Sequence, residues 1–464
     1  MKLKRVVGAL IAIASTALHA KAGIDKGYPK NCFELNAHRS LQGALDAVMS
    51  KANANLSIQS SAEDLDTSLF TLRSSQAAFI PSLTISNTYE YLSDEYQYSY
   101  SLEPYKAPTS DWYGSNNNDM SVSISWLLFD MPSIYTIKKS RSDYESKKYN
   151  LAGDIQSNSE AAANALLDYI YYLNQLENNR KMSSIHSQIF SDAELLNERG
   201  QTSRIDLLQS SQQLDTYRSN FLSAQTQVEN ALFSLETYLG VEVCKNAEDS
   251  ITLIQEYPVY SSNDEAISKA ISISPLLRSL KKQIDSTIAQ SSYYKSSIVP
   301  SVTLGASASL ESDYQATPTN STNITNDYIL DITLSLNLDA ADIYSAKAMS
   351  KKADSLHKSL LFQEEKMRND MKAVIASMPK LNKSIEFAEH SLKSQEEISS
   401  LTLIGYKAGY KSSTDVYIAN DNLYDSLNQL LTSRYNYLKN IISYESYLLF
   451  PSYPKTNEFF DASD

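Results

Sequence analysis

Most of the chain alternates apolar and polar residues with the period of an amphipathic helix, and two long stretches keep this pattern. The first covers residues 132–199 and the second covers about residues 340–406, with a kink predicted at Pro379. An unbroken helix over the first stretch would be roughly 100 Å long at about 1.5 Å per residue. Because a compact globular domain has no place for such a helix, the pattern predicts an elongated, mainly α-helical molecule.

A shared turn sequence follows each long stretch. It combines a glycine, a serine and an aspartate at fixed spacing, first as Gly200, Ser203 and Asp206 and, 209 residues later, as Gly409, Ser412 and Asp415. Glycine allows a tight turn, and serine followed by aspartate is good chemistry for starting a helix. Each copy is therefore predicted to be the tip of a long helical hairpin, and two tips indicate an internal duplication.

The two return helices, predicted over about residues 203–239 and 413–449, carry apolar residues at every seventh position. In the first helix these are Leu207, Leu214, Phe221, Val228 and Leu235, and in the second they are Val416, Leu423, Leu430, Tyr437 and Tyr444. A seven-residue repeat is typical of coiled-coil packing, and an ordinary long helical bundle remains the alternative.

Four shorter stretches alternate apolar residues with serine and threonine, which predicts β-strands of about ten residues. The first begins after Pro81 and carries Leu83, Ile85, Tyr89 and Tyr91, and the second carries Val122, Ile124, Trp126 and Leu128. The third begins after Pro300, and the fourth carries Ile332, Leu334, Leu336 and Leu338 on one face. Loops are predicted over about 93–119 and 313–326, a helix over about 41–79, and a second helix over about 264–297 that is interrupted near Pro275.

The chain begins like a secretory signal, with a basic start, an apolar run from Val6 to Leu18, and the small-residue site Ala20-Lys21-Ala22. The alternative is an N-terminal membrane anchor, for which the apolar run is short. Removal of residues 1–22 would take the formal net charge from −13 to −17, because the segment holds four cations and no acid. This acidic balance argues against nucleic acid as a partner.

The chain has two cysteines, Cys32 and Cys244, in short irregular stretches outside the predicted helices. An oxidising compartment outside the cytoplasm permits a disulfide between them, and two unpaired thiols are the alternative. The five histidines are scattered and no C-x-x-C motif is present, so the sequence shows no zinc pattern and no other metal or cofactor site.

If the exported protein crosses a membrane with these strands, they must close into a barrel, because a strand edge in lipid cannot stay unpaired. Known single-chain barrels have at least about eight strands, so a chain with four must share its barrel with other copies. Trp126 and the tyrosines near the strand ends suit the membrane interface. A small soluble sheet would alternate in the same way and is the alternative.

This arrangement resembles the TolC family of outer-membrane channel proteins. The resemblance rests on the repeated helix-strand-strand-helix order, the two tips, the strand-to-helix junction at residues 127–130, and residues 434–438 in the last helix. It implies a fold of long coiled-coil hairpins forming an α-barrel in the periplasm. It also implies a homotrimer with a shared twelve-stranded transmembrane β-barrel in the outer membrane of a Gram-negative bacterium, and an equatorial region that would contain both cysteines.

The chain is accordingly divided into a signal peptide at 1–22, a first structural repeat at 23–240, a second repeat at 241–449, and an equatorial tail at 450–464.

The resemblance also implies a closable periplasmic gate at the tips. The family's gate residues fall at Asp206, Tyr406, Lys411 and Asp415, where the lysine replaces an arginine and loses its two-pronged geometry. A second acidic ring of the family falls at Ile418, where this sequence departs. Helix N-capping is the alternative role for both aspartates, and capping and gating are compatible.

A periplasmic adaptor is expected to dock its own helical hairpin on the tips. The residues of this docking surface would be Gly200, Ser203, Leu207, Gly409, Ser412 and Val416.

The sequence therefore predicts a passive outer-membrane conduit for a tripartite export system, opened by an adaptor and powered by an inner-membrane transporter. Either multidrug efflux or type I protein secretion fits. A periplasmic coiled-coil adaptor or structural protein is the alternative, although an adaptor would have one hairpin flanked by β-domains. An enzyme is not expected, because no phosphate-binding glycine loop and no nucleophile, base or metal constellation is present.

Overall fold

A computed structural model describes residues 33–34, 40–92, 115–244, 264–315 and 321–450. The first half contains α1 (Leu41–Ala52), α2 (Leu56–Ala77), β1 (Ser82–Leu92), β2 (Ser115–Phe129), α3 (Met131–Glu198) and α4 (Arg204–Leu239). The second half contains α5 (Asp264–Ile273), α6 (Pro275–Ser296), β3 (Ser301–Gln315), β4 (Ser321–Ser335), α7 (Ala340–Lys407) and α8 (Ser413–Tyr447). The predicted signal peptide, Cys32, most of the first loop and of the mid-chain connector, and the tail from 451 lie outside the described residues.

The two halves repeat the same order of elements with closely matched lengths. The long helices α3 and α7 have 68 residues each, and α2 and α6 have 22 residues each. This confirms the prediction of an internally duplicated, mainly helical chain with long hairpins and four strands.

The long helices begin where the sequence supplies a capping aspartate. Asp130 accepts a hydrogen bond from the backbone N–H of Ser133 at 2.8 Å, and Pro132 occupies the first turn, where its missing N–H costs nothing. Asp339 caps α7 in the same way through the N–H of Ala341 at 2.8 Å. Helix α7 continues through Pro379 to Lys407, so the predicted kink does not divide it.

The helix predicted over residues 41–79 is wrong as a single element, because the structure divides it at residues 53–55. The side chain of Asn55 accepts from the N–H of Ile58 and donates to the carbonyl of Tyr238 at 2.9 Å. Asn53 donates to Ser159 at 2.7 Å. Asparagine side chains that bond to backbone and to other helices compete with helix continuation. The predicted interruption near Pro275 is confirmed, with Ser274 capping α6.

The strands extend beyond the predicted bounds. β2 begins at Ser115, β3 ends at Gln315 and β4 begins at Ser321, all inside the predicted loops. The polar residues there pair through their backbones, which needs no apolar alternation. At the other end β4 stops at Ser335, so Leu336 and Leu338 lie past the strand to which the sequence assigned them.

The strands form one antiparallel sheet in the order β1-β2-β3-β4. Its register places Leu83, Ile124, Ala306 and Leu330 in one row across all four strands. The neighbouring row consists of Ser82, Ser125, Gly305 and Asp331. Because side chains alternate along a strand, one face of the sheet is apolar and the other is polar.

The apolar face of the sheet is exposed in the single chain. Its exposed members include Leu83, Ile85, Tyr89, Ile124, Trp126, Leu128, Tyr328, Leu330, Ile332 and Leu334. A continuous exposed apolar surface of this kind marks a face that another apolar phase or chain covers.

The helical core lies where the short helices flank the long ones. One cluster joins α1, α3, α4 and α8 around Leu45, Leu166 and Leu235, and a second joins α5, α7 and α8 around Met371 and Tyr437. None of the described helices is both long enough and apolar enough to span a membrane.

Heptad positions in α4 and α8 are partly buried in the folded chain: Leu214, Leu235, Val416, Leu430, Tyr437 and Tyr444 are all buried, and Leu235, Leu430, Tyr437 and Tyr444 belong to the two clusters.

Candidate functional site

Each hairpin tip begins with a glycine in the left-handed backbone conformation. Gly200 has φ +69° and Gly409 has φ +79°, and nothing lies within 4 Å of a Cβ added at either position. The backbone angle, and not a lack of space, is therefore what favours glycine. Backbone bonds from Gln201 N–H to Leu196 O and from Tyr410 N–H to Gly405 O, both 2.8 Å, close the ends of α3 and α7.

A reciprocal capping box starts the return helix α4 at the first tip. The N–H of Asp206 donates to Ser203 Oγ at 3.1 Å, and Asp206 Oδ2 accepts from the N–H of Ser203 at 3.2 Å. The hydroxyls of Ser203 and Thr202 also donate to Asp206 Oδ2, at 2.7 and 3.0 Å. These hydroxyl bonds, that of Ser203 first, hold the pKa of Asp206 below its usual range.

The second tip repeats this geometry at the start of α8. Asp415 N–H donates to Ser412 Oγ at 3.1 Å, while Asp415 Oδ2 accepts from the Ser412 N–H and hydroxyl at 2.9 Å each. The Ser412 N–H is the main cause of a lowered pKa of Asp415, and the charge of Lys411 adds to it. Both aspartates are therefore ionised at neutral pH and act as helix caps, which is one of the two roles expected of them.

Tyr406 lies in the last turn of α7, close to the first hairpin. Its ring packs against a small cluster formed by Ile189, Val416 and Tyr417. Burial, followed by the negative charges of Asp192 and Asp206, raises the pKa of the Tyr406 hydroxyl. The structure thus brings two of the four predicted gate residues into one neighbourhood, although the hydrogen bonds described for Asp206 go to Thr202 and Ser203.

Lys411 lies on the exposed side of the second tip. Its N–H donates to Gly405 O at 3.2 Å, and a Cβ at Gly405 would lie 2.9 Å from Lys411 Cγ, so glycine lets the lysine lie against α7. Ile418, where the sequence departs from an acidic ring, is 55% exposed.

The predicted docking residues differ in their accessibility. Gly200, Ser203, Gly409 and Ser412 are exposed, and Leu207 is half-buried. Val416 is only 2% exposed because it packs against the first hairpin, so a partner would reach it only after the hairpins move apart. The docking role of these residues stays a prediction.

A buried aromatic cluster above the tips was not predicted from the sequence. His186 of α3 stacks on Tyr217 of α4 and Tyr417 of α8, with ring centroids 4.3 and 5.8 Å apart. The Tyr217 hydroxyl donates to Asp421 Oδ1 at 2.6 Å and so connects the two hairpins. The one available signal was the placement of Tyr217 three residues after the heptad position of Leu214.

Polar pairs continue this contact between α3 and α8 away from the tips. Tyr424 donates to Asn179 at 2.8 Å, Asn178 donates to Asn428 at 3.3 Å, and Lys439 pairs with Asp168 at 3.1 Å. The Tyr435 hydroxyl also donates to Asp168, and burial together with this bond raises the pKa of Tyr435 to about 12. The two hairpins therefore meet along a seam that combines these polar pairs with apolar contacts between α3 and α8.

Cys244 is disulfide-bonded, and Cys32, the other cysteine of the sequence, lies outside the described residues. The residue next to it, Phe33, pairs with Val243 in a parallel bridge, and the N–H of Cys244 donates to Phe33 O at 3.0 Å. These contacts hold the two cysteine-bearing segments side by side. The Cys32–Cys244 bond stays a prediction.

The described residues contain no group of three or more histidine, cysteine, aspartate or glutamate side chains arranged to hold a metal ion.

A family model described as "Outer membrane efflux protein" matches residues 48–241 and 266–446 of this chain. The two matched segments correspond to the two structural repeats and together cover more than half of the chain. No curated protein sequence matches the chain significantly.

Several solved structures share the fold at low sequence identity. The CmeC outer membrane channel of Campylobacter jejuni is 13% identical with a TM-score of 0.70, and the match covers 90% of this chain and 89% of that one. The Neisseria gonorrhoeae MtrE outer membrane channel in its open state is 13% identical with a TM-score of 0.68, covering 87% and 88%. The Vibrio cholerae outer membrane protein VceC is 14% identical with a TM-score of 0.64, covering 87% and 95%.

Proposed function

The chain belongs to the outer membrane efflux protein family, and from this membership we propose that it is the exit duct of a tripartite export system. Three copies would form the duct, a periplasmic adaptor would bind its inner end, and an inner-membrane transporter would supply the energy. The duct itself would be passive, since the family is one of transport channels and not of enzymes.

The observation that carries this proposal is the four-stranded sheet with one apolar and one polar face. The apolar face is continuous across all four strands and exposed in the single chain. The outer edges of β1 and β4 are free for pairing with other copies within the described sheet. Three copies joined edge to edge would close twelve strands, leave no open edge, and turn the apolar face to lipid.

The polar face of the sheet has the composition of a water-filled lumen. Its exposed acidic residues are Glu90, Asp119, Glu311, Asp327 and Asp331. None of the four strands contains a lysine or an arginine. Gly305 lies opposite Asp331, and a Cβ there would clash with the aspartate side chain, so the glycine makes room for a carboxylate on this face.

The helical hairpins would form the periplasmic tunnel. A 68-residue helix is roughly 100 Å long at about 1.5 Å per residue, far longer than the protein needs to enclose its own core. The tips would close the inner end, with Asp206, Tyr406, Lys411 and Asp415 as gate residues. The surface formed by Gly200, Ser203, Leu207, Gly409, Ser412 and Val416 would receive the adaptor.

A periplasmic adaptor is the weaker candidate. Two hairpins, each preceded by a pair of strands in a shared sheet, favour a duct over a protein with one hairpin between separate β-domains.

Deleting the gene tests which class of cargo the duct carries, by comparing drug susceptibility and the profile of secreted proteins with those of the parent strain. Because the family is one of efflux proteins, we expect the deletion strain to accumulate small toxic compounds and to become more sensitive to them. Unchanged drug susceptibility together with the loss of a secreted protein would instead assign the duct to type I secretion. No change in either property would contradict a role in export under the conditions used.

A further inference from the structure

A partly buried hydrogen bond joins the two hairpins of one chain above their tips. The Tyr217 hydroxyl of α4 donates to Asp421 Oδ1 of α8 at 2.6 Å, and the Tyr217 side chain is only 5% exposed. Tyr217 lies about 20 Å along α4 from its first residue at about 1.5 Å per residue. The Asp421 side chain is 40% exposed, so the bond is shielded from water on its tyrosine side, and it gains strength from the charge of the carboxylate.

His186 of α3 completes this cluster. It is 1% exposed, its ring stacks on Tyr217, and its Nε2 lies 3.9 Å from the same Asp421 Oδ1 that accepts from Tyr217. Neither ring nitrogen of His186 has a hydrogen-bond partner within the described part of the chain. A buried histidine whose ring nitrogens have no hydrogen-bond partner, at a contact between two hairpins, needs an explanation beyond packing.

The tip aspartates differ from Asp421 in where their hydrogen bonds go. Asp206 and Asp415 bond to Ser203 and Ser412 within their own helix starts. Asp421, by contrast, bonds across to the other hairpin. Near the tips, a carboxylate that links the two hairpins is therefore found at Asp421, above the capping aspartates.

We propose that Tyr217, Asp421 and His186 form an inter-hairpin lock, which holds the first hairpin, α3 and α4, against α8 and must break when the inner end of the tunnel widens. This proposal rests on the proposed duct function and adds positioning residues to it. When the hairpins separate, the Tyr217 hydroxyl and Asp421 exchange their mutual bond for water. His186 keeps its stack on Tyr217 of its own hairpin, but it loses Tyr417 and Asp421 of α8 and becomes hydrated on that side.

The position of His186 makes the lock sensitive to acid. Its facing groups are Tyr217 of α4 and Tyr417 and Asp421 of α8, while Asp425 and Tyr424 of α8 act on Tyr217. Burial lowers the pKa of His186 below its ordinary value of 6.5, and the charge of Asp421 offsets part of this. A proton therefore binds more readily to the separated state, where His186 is hydrated, so the lock weakens as the pH falls below about 6.5.

The test uses full-length trimers in planar bilayers, with Tyr217→Phe as the variant and Tyr435→Phe as its matched control. Both substitutions remove one tyrosine–aspartate bond of the seam, but Tyr435 lies farther from the tips. We expect Tyr217→Phe to raise the open fraction at neutral pH roughly tenfold, as the loss of one charge-assisted hydrogen bond implies. The control should raise the open fraction far less. Equal increases in the two variants would mean that any lost bond between the hairpins loosens them, and would overturn the proposal.

The pH profile gives a readout that a merely structural role would not move. The wild-type open fraction should rise as the pH falls below about 6.5, and His186→Phe, which keeps a stacked ring, should remove this rise. A profile that His186→Phe leaves unaltered would overturn the acid response. Should Tyr217→Phe fail to assemble, Asp421→Ala tests the same bond from its other end.

The two proposals fail in distinguishable ways. Wild-type protein that forms conducting trimers while Tyr217→Phe and Asp421→Ala conduct no more than wild type would refute the lock alone. Wild-type protein that forms no channel would refute the duct itself.

Discussion

At the scale of single residues, each tip aspartate has one carboxylate for two roles, which are capping its helix and closing the gate. Asp206 and Asp415 each spend one oxygen on a capping box, and these local bonds hold both groups ionised at neutral pH. The second oxygen is free to act on other tips in an assembly, so capping leaves room for gating. The sequence predicted the caps because serine and aspartate at this spacing act locally, within one turn.

Asp415→Ala should raise the conductance of the channel. The substitution removes three carboxylates from the inner end of a trimer, where their oxygens would accept hydrogen bonds that hold the tips together and their charges would favour cations. Single-channel recordings in planar bilayers check this, with Asp415→Glu as a control that keeps the charge and a capping side chain. If alanine and glutamate give the same conductance as wild type, Asp415 acts as a cap only.

The disulfide is a second prediction at this scale. Peptide mapping of the exported protein under non-reducing conditions should find Cys32 linked to Cys244. The backbone pairing of Phe33 with residues 242–244 already holds the two segments side by side. Two thiols that both react with an alkylating reagent before reduction would contradict it.

The inter-hairpin lock could not be found in the sequence, for a physical reason. Periodicity indicates which face of a helix is buried, and Tyr217 lies three residues after the heptad position of Leu214. It does not tell which residue of another helix, hundreds of positions away, lies opposite, and His186, Tyr217 and Asp421 come from three different helices. Such contacts depend on the rotation and relative height of helices that only the folded chain defines.

At the scale of elements, each strand carries an apolar and a polar series in alternation, and the register aligns both series across the sheet. The sequence predicted this alternation well, since it depends only on neighbouring positions. It predicted the strand ends poorly, because the polar outer parts of β2, β3 and β4 pair through backbone groups that leave no mark on hydropathy. The division of the first helix at residues 53–55 was missed for a related reason, because it depends on asparagine bonds to distant helices.

The two faces of β4 allow a matched test with adjacent residues. Ile332 lies opposite Leu304 on the apolar face, and Thr333 lies opposite Thr303 on the polar face. If the apolar face contacts lipid, Ile332→Lys should destabilise the membrane-inserted protein by about 2–4 kcal/mol at mid-membrane depth, whereas Thr333→Lys should be tolerated.

The measurement is the unfolding of each variant from lipid vesicles by denaturant, with the yield from outer membranes as a second readout. Equal tolerance of both lysines would mean that water, and not lipid, covers the apolar face. A large loss of stability from Thr333→Lys alone would mean that the polar face packs against protein and does not line a water-filled lumen.

At the scale of the whole molecule, duplication explains the architecture more simply than any single motif. Two hairpins with long helices of equal length and two pairs of strands place both tips at one end and all strands in one sheet. The family membership covers both halves, and the solved channels of this fold align over most of their length. In the single chain the described sheet has an exposed apolar face and two unpaired outer edges. Further copies would pair the edges, and a membrane would cover the apolar face.

The most direct test of this account is the mass of the protein extracted from outer membranes in detergent, measured by native mass spectrometry. We predict a complex of three identical chains, because four strands per chain close a barrel only when copies share it. The complex should persist under gentle dilution and carry bound lipid. Recovery of the chain as a lipid-free monomer from the soluble periplasmic fraction would contradict the shared barrel and, with it, the duct.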